Sequence, residues 1–202
     1  MKRRKVILLI VSGLAWCSVG NATITNVTYS NYSAGAMDNA WAAWDNTDFS
    51  LSIHGEQHWG PGRGGGTIYT DSATDPILTL HSIIDNDTAF AWTAYHVDVT
   101  MGSSFALSNL FVNPPTDWTA TITQQPILTN GLYEGQLDYF GGTPVAIGGT
   151  LDFGFDMVFS GATQFSYTVA LSPVPEPGTL SLVALSGLLL VGFIVAKRGR
   201  RA

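Results

Sequence analysis

Cysteine is nearly missing from this chain: the single one, Cys17, lies in an apolar stretch near the N-terminus. If that stretch is removed, the mature body has no disulfide, no thiolate metal ligand and no cysteine nucleophile. Basic residues are almost as scarce. Of nine Lys and Arg, eight stand in clusters at the two ends, and only Arg63 lies between them. Residues 23–172 carry fourteen of the fifteen acids against that one arginine, a formal net charge of −13. Nothing there can neutralise phosphates, so the composition excludes a nucleic-acid binder. No internal repeat and no second-domain boundary is visible. What the chain does have is apolar bulk, 46% hydrophobic and 11% aromatic residues, which is enough to bury a core and too much for a disordered segment.

The two ends read as addresses. Met1 to Ala22 has a basic start, an uncharged run from Val6 to Gly20, and Gly20 and Ala22 spaced as at a signal-peptidase site. That run is shorter than the roughly 20 residues a membrane span needs, so residues 1–22 are expected to be a cleaved secretory signal peptide. A lipoprotein signal at Cys17 would need a small residue where Trp16 stands. At the other end residues 179–196 are uncharged and rich in Leu and Val, and Lys197, Arg198, Arg200 and Arg201 follow at once. The pattern predicts a transmembrane helix with its basic cluster cytoplasmic, which puts the body outside the inner membrane.

Before this helix stands Pro173-Val174-Pro175-Glu176-Pro177-Gly178, whose prolines are expected to stop regular structure and leave an extended segment that a protease or transpeptidase could read. Val174, Pro175, Glu176 and Pro177, then an apolar helix, then an Arg-rich terminus, resemble the PEP-CTERM sorting signal of Gram-negative bacteria. The resemblance covers residues 173–202 only. It implies handling by an exosortase-type processing enzyme, removal of the tail, and delivery to the cell surface or an exopolysaccharide matrix. It implies no activity for residues 23–172.

That body reads as strands. Leu151, Phe153, Phe155, Met157 and Phe159 alternate with Asp152, Gly154, Asp156 and Val158, and Phe165, Tyr167, Val169 and Leu171 alternate with Ser166, Thr168, Ala170 and Ser172. The short polar link between the two runs predicts a β-hairpin. Further strand signals cover Phe49–Ile53, Thr67–Tyr69, Ile77–Ile84, Thr88–Thr100, Phe105–Phe111, Trp118–Thr123, Leu132–Phe140 and Val145–Leu151. One segment, Ala36–Asp45, has helical spacing, with Met37, Ala40, Trp41 and Trp44 on one face. The expected fold is an all-β, antiparallel, jelly-roll-like β-sandwich between a signal helix and a membrane helix.

Candidate sites are few. On a strand, His54, Glu56 and His58 would point one way and could meet one metal ion, but the glycines that follow suggest a loop where they would spread apart. Gly60-Pro61-Gly62-Arg63-Gly64-Gly65-Gly66 lacks the Lys-Ser or Lys-Thr of a phosphate loop and reads as a flexible loop. Asp71 with Asp75, Asp85-Asn86-Asp87 and Asp45-Asn46-Thr47-Asp48 offer oxygen ligands of the kind calcium takes, although none completes the twelve-residue calcium loop and turn chemistry explains them as well. After signal removal five tryptophans remain, Trp41, Trp44, Trp59, Trp92 and Trp118; most are expected in the core, with at most one or two facing solvent. No serine, histidine and aspartate carry a recognisable triad signature, and no carboxylate pair is singled out.

The body is therefore expected to be a structural or adhesive surface module of an extracellular polysaccharide matrix, without catalysis and without an obligatory cofactor. Two alternatives stand beside this: a carbohydrate-binding module with exposed Trp or Tyr on one face, and a secreted hydrolase or metalloenzyme in which His54, Glu56 and His58 converge.

Overall fold

The computed structural model describes residues 23–33, 35–71, 76–159 and 163–176. The expected signal peptide, the membrane helix and the terminal basic cluster lie outside the described residues. Among the described residues every regular element is a strand, and no helix is long and apolar enough to cross a membrane. The strands are β1 (Ile24–Val27), β2 (Ser30–Asn31), β3 (Met37–Asp45), β4 (Ser50–Gln57), β5 (Gly62–Thr70), β6 (Ile77–Asn86), β7 (Trp92–Met101), β8 (Phe105–Val112), β9 (Thr119–Thr129), β10 (Leu132–Val145), β11 (Thr150–Phe159) and β12 (Gln164–Pro175).

They form two sheets. One has seven strands in the order β1-β5-β12-β7-β10-β9, with β2 also on β5, and the other has five in the order β3-β4-β6-β11-β8. All pairs are antiparallel except β4 with β6, which run parallel because β5 between them crosses to the other sheet. The wholly antiparallel expectation is corrected by that pair.

The apolar alternation decides which faces meet. Leu151, Phe153, Phe155, Met157 and Phe159 of β11 are buried, as are Tyr95, Val97 and Val99 of β7 and Phe165, Tyr167, Val169 and Leu171 of β12, and they share one core. Across it the Tyr95 and Tyr139 rings tilt against Phe153, with centroids 5.4 and 4.6 Å away, close enough for favourable edge contacts. Several polar groups that reach this layer are satisfied, while the buried Ser82 hydroxyl and Trp44 indole N–H have no partner among the described residues. Tyr139 donates to the Gly154 carbonyl at 2.9 Å, and buried Gln57 donates to the Leu171 carbonyl and accepts from Tyr95. At one open side, the Gln125 side chain of β9 donates to and accepts from the Leu107 backbone of β8, so an amide stands in for a strand partner between the two sheets.

Three expectations are corrected. Residues 151–159 and 165–171 are strands, but not a hairpin: β11 lies between β6 and β8 in one sheet, β12 between β5 and β7 in the other. Two neighbouring alternating runs can pair side by side or face each other across a core, and their pattern is identical in both cases. Residues 37–45 are a strand rather than a helix. Opposite β4, Asp38 pairs with Glu56 and Trp41 with His54, so β3 holds one extra residue in a bulge where Asn39 takes a φ of +48°. The bulge puts Met37, Ala40 and Trp44 on the inner side at offsets of three and four, which imitates a helix. Residues 62–66 are strand β5 rather than a flexible loop, because missing side chains let other chain segments press on it. A Cβ on Gly64 would sit 2.3 Å from the Tyr29 hydroxyl, and one on Gly66 2.0 Å from the Thr28 carbonyl.

The proline segment also differs from expectation. Pro173, Val174 and Pro175 continue β12 along β7, and the Glu176 N–H donates to the Ala91 carbonyl. They are tolerated because β5 ends opposite Leu171, so β12 has no partner on that flank beyond it.

Candidate functional site

β3 starts, β4 and β6 end, and β11 starts at one end of the five-stranded sheet, where Met37 faces Gln57, Gln57 faces Asn86, and Thr150 faces Asp85. Here a cluster forms around His58. Its Nε2 stands 3.5 Å from Asp38 Oδ2 and 4.0 Å from Glu56 Oε2, and its Nδ1 3.9 Å from Asp87 Oδ2. One donor atom from each of Glu56, His58 and Asp87 lies within 4.8 Å of the others. The backbone that carries them is pinned: His58 N–H donates to Ala36 and Asp87 N–H to Gln57, both at 3.0 Å. The carboxylates are steered in turn, Asp38 Oδ1 by the Gly35 N–H at 3.0 Å and Glu56 Oε2 by the Asn39 amide at 2.7 Å.

The cluster joins halves of two sequence candidates. Glu56 and His58 come together, but His54 does not join them: its ring stacks on Trp41 with centroids 3.9 Å apart and planes 6° from parallel. Asp87 joins them from the Asp85-Asn86-Asp87 run, whose other members do different work. Asp85 accepts from the Thr150 hydroxyl at 2.6 Å. Asn86 is buried, donates to Phe90, Val145 and Ala146 carbonyls, and accepts from Thr88, so it ties two loops together. Asp71 lies at the opposite end of the sandwich, beyond β5, where it accepts from the Thr23 N–H at 2.8 Å; Asp75 lies outside the described residues. Asp45 closes a turn by accepting from the Thr47 N–H, a bond that lowers its pKa below the ordinary aspartate value. Arg63 is exposed on the outer side of β5. Of the sorting segment, Val174 and Pro175 are in β12 and Glu176 follows it, while Pro177, Lys197, Arg198, Arg200 and Arg201 lie outside the described residues.

Asp38 was hidden in the sequence because helical spacing masked β3, and nothing local links it to Glu56. A second polar surface was also not anticipated. On the outer face of the seven-stranded sheet, His96, Asp98, Thr123, Gln136, Asp138 and Ser172 line an open depression of about 410 Å³. There His96 pairs with Asp138, and Gln136 donates to Asp98 at 2.9 Å. Its only sequence signal was the polar alternation of β7 and β10. Aromatics form a third feature: Trp92 and Trp118 are buried, while Trp41 and Trp59 are 53% and 64% exposed. Tyr29, Trp41 and Trp44 line a cleft of about 220 Å³ with Ser30 and Asn31, between β2 and β3.

These observations define an all-β protein of two stacked sheets with polar outer faces. No family model, no curated protein and no solved structure matches the chain.

Proposed function

We propose that this chain is an exported surface protein, sorted through its PEP-CTERM-like tail by an exosortase-type enzyme and anchored in the inner membrane until processed. Its body has a structural or adhesive role in an extracellular polysaccharide matrix and carries out no catalysis. The observation that supports this reading is the seat of β12. The strand leading into the tail is hydrogen-bonded to β5 on one side and β7 on the other. A pull on the tail would therefore load two antiparallel ladders along the strand direction, which suits a body held at a surface by its C-terminus.

A test in the native host compares the full chain with one truncated after Glu176, each tagged in the exposed Asn130-Gly131 turn. The full chain should reach the cell surface or matrix fraction and the truncated chain should escape to the periplasm or medium. Identical distributions, or retention of both in the cytoplasm, would overturn the reading. The cleft beside Trp41 favours carbohydrate binding as a second reading, since exposed indoles stack on sugar rings. Loss of matrix retention in Trp41→Ala, with sorting intact, would favour it.

A further inference from the structure

We propose that Glu56, His58 and Asp87 bind a divalent first-row transition ion of the zinc class, with Asp38 as the outer carboxylate of the imidazole. The inference does not depend on the surface role proposed above.

The first argument is geometric. Adjacent strands β3, β4 and β6 deliver four side chains to one point, and the pinned amides of His58 and Asp87 fix the backbone beneath them. In a tetrahedral zinc site with bonds of about 2.0–2.1 Å, ligand atoms stand roughly 3.3 Å apart. The three donors already lie within 4.8 Å of one another. Partly exposed side chains on a fixed backbone can close that gap by rotation.

The second argument compares this histidine with His81 and His96, the two others that face a carboxylate; His54 stacks on Trp41 instead. His81 meets Asp152 at 2.6 Å and His96 pairs directly with Asp138, so each of those rings has a carboxylate at hydrogen-bond length. His58 faces three carboxylates at 3.5, 3.9 and 4.0 Å, none of which closes to a hydrogen bond, so a ring nitrogen stays available as a ligand.

Charge and donor chemistry agree. Three carboxylates converge with no Lys or Arg to balance them, because the only such residue among the described ones, Arg63, is in the other sheet. A dication supplies that balance. An imidazole among carboxylates suits zinc or manganese, whereas calcium takes six to eight oxygen ligands. Metal-bound histidines commonly donate their second ring N–H to a carboxylate. With Nδ1, the nitrogen that faces Asp87, as the ligand, Nε2–H is left for Asp38, the nearest of the three carboxylates and itself oriented by Gly35.

The test titrates the purified full-length chain with Zn²⁺, Mn²⁺, Ca²⁺ and Mg²⁺ by calorimetry and by thermal midpoint, at matched ionic strength. Expected is one saturable Zn²⁺ per chain, bound at least tenfold more tightly than Ca²⁺, and a raised midpoint that chelator reverses. His58→Gln and Asp87→Asn should each weaken Zn²⁺ binding by tenfold or more, and Asp38→Asn by on the order of tenfold. His81→Gln and His96→Gln should leave it unchanged. Mn²⁺ should broaden the His58 ring resonances of the unmutated chain before those of His81 or His96, a readout that needs no variant to fold. Absence of saturable Zn²⁺ binding would overturn the proposal and leave His58 as an ion-pair partner only. Binding untouched by His58→Gln, or calcium bound as tightly as zinc, would also overturn it.

Discussion

Four buried or half-buried tyrosines, Tyr29, Tyr95, Tyr139 and Tyr167, keep their hydroxyls in the protonated, donating form. Burial pushes Tyr29 up to about 12 from the ordinary 10, and moves the other three upward as well. Tyr167 donates to the Thr28 carbonyl at 3.0 Å and Tyr139 to Gly154, so ionisation would remove a donor and bury a charge. The sign follows from linkage. The folded-state values exceed the unfolded ones, so their contribution is complete below pH 10 and is lost as pH rises from about 10 toward and beyond 12. Each such tyrosine costs about 1.4 kcal/mol per pH unit in that window. We expect alkaline unfolding to begin above pH 10, with tyrosinate absorbance and loss of the far-ultraviolet β signal rising together. Complete tyrosinate formation in a still-folded chain at pH 12 would refute it.

At the scale of the element, β5 and β3 show how backbone geometry overrides composition. Gly65 lies in β5 against β12, where a Cβ would be 2.3 Å from the Tyr167 carbonyl oxygen and 2.9 Å from the Thr168 Cα. Backbone of a central strand cannot swing aside as a side-chain tip can. Gly65→Ala is therefore expected to cost about 3 kcal/mol, at the upper end of ordinary overpacking. Gly102, with nothing within 4 Å and no positive φ, is the control: Gly102→Ala should change stability little in the same urea titration. Equal midpoints for the two variants would show that β5 is looser than its contacts imply. One element is plainly legible in the sequence alone. Asn130-Gly131, with φ of +51° and +85°, is the two-residue turn that joins β9 to β10, and Asn-Gly between apolar runs is the strongest local hairpin signal.

For the whole molecule, charge is the governing quantity. With one arginine in residues 23–172 and a formal net charge of −13, the body repels itself, and its ion pairs among the described residues all use histidine. Raising sodium chloride shortens the screening length from about 30 Å at 0.01 M to about 8 Å at 0.15 M, so the thermal midpoint should rise over that range. Reductant should leave it unchanged, because residues 23–176 contain no cysteine. A midpoint that falls with salt would mean that specific ion pairs outweigh the net repulsion.

The sequence by itself determined the charge, the absence of disulfides, the all-β class and the inward faces of β11 and β12, because period-two alternation and composition are local properties. It also carried the proline, apolar and basic pattern of the tail, which is linear in the chain. Tertiary structure alone decided which strands are neighbours: β11 and β12 have the same alternation whether they pair or oppose, and only the competition of β5, β6, β7 and β8 for their edges separates them into two sheets. The His58 cluster belongs to that second kind. Glu56 and His58 were visible as a local pattern, but Asp87 reaches them through the parallel pairing of β4 with β6 and Asp38 through a bulged register with β3, contacts set by long-range packing that no local spacing records.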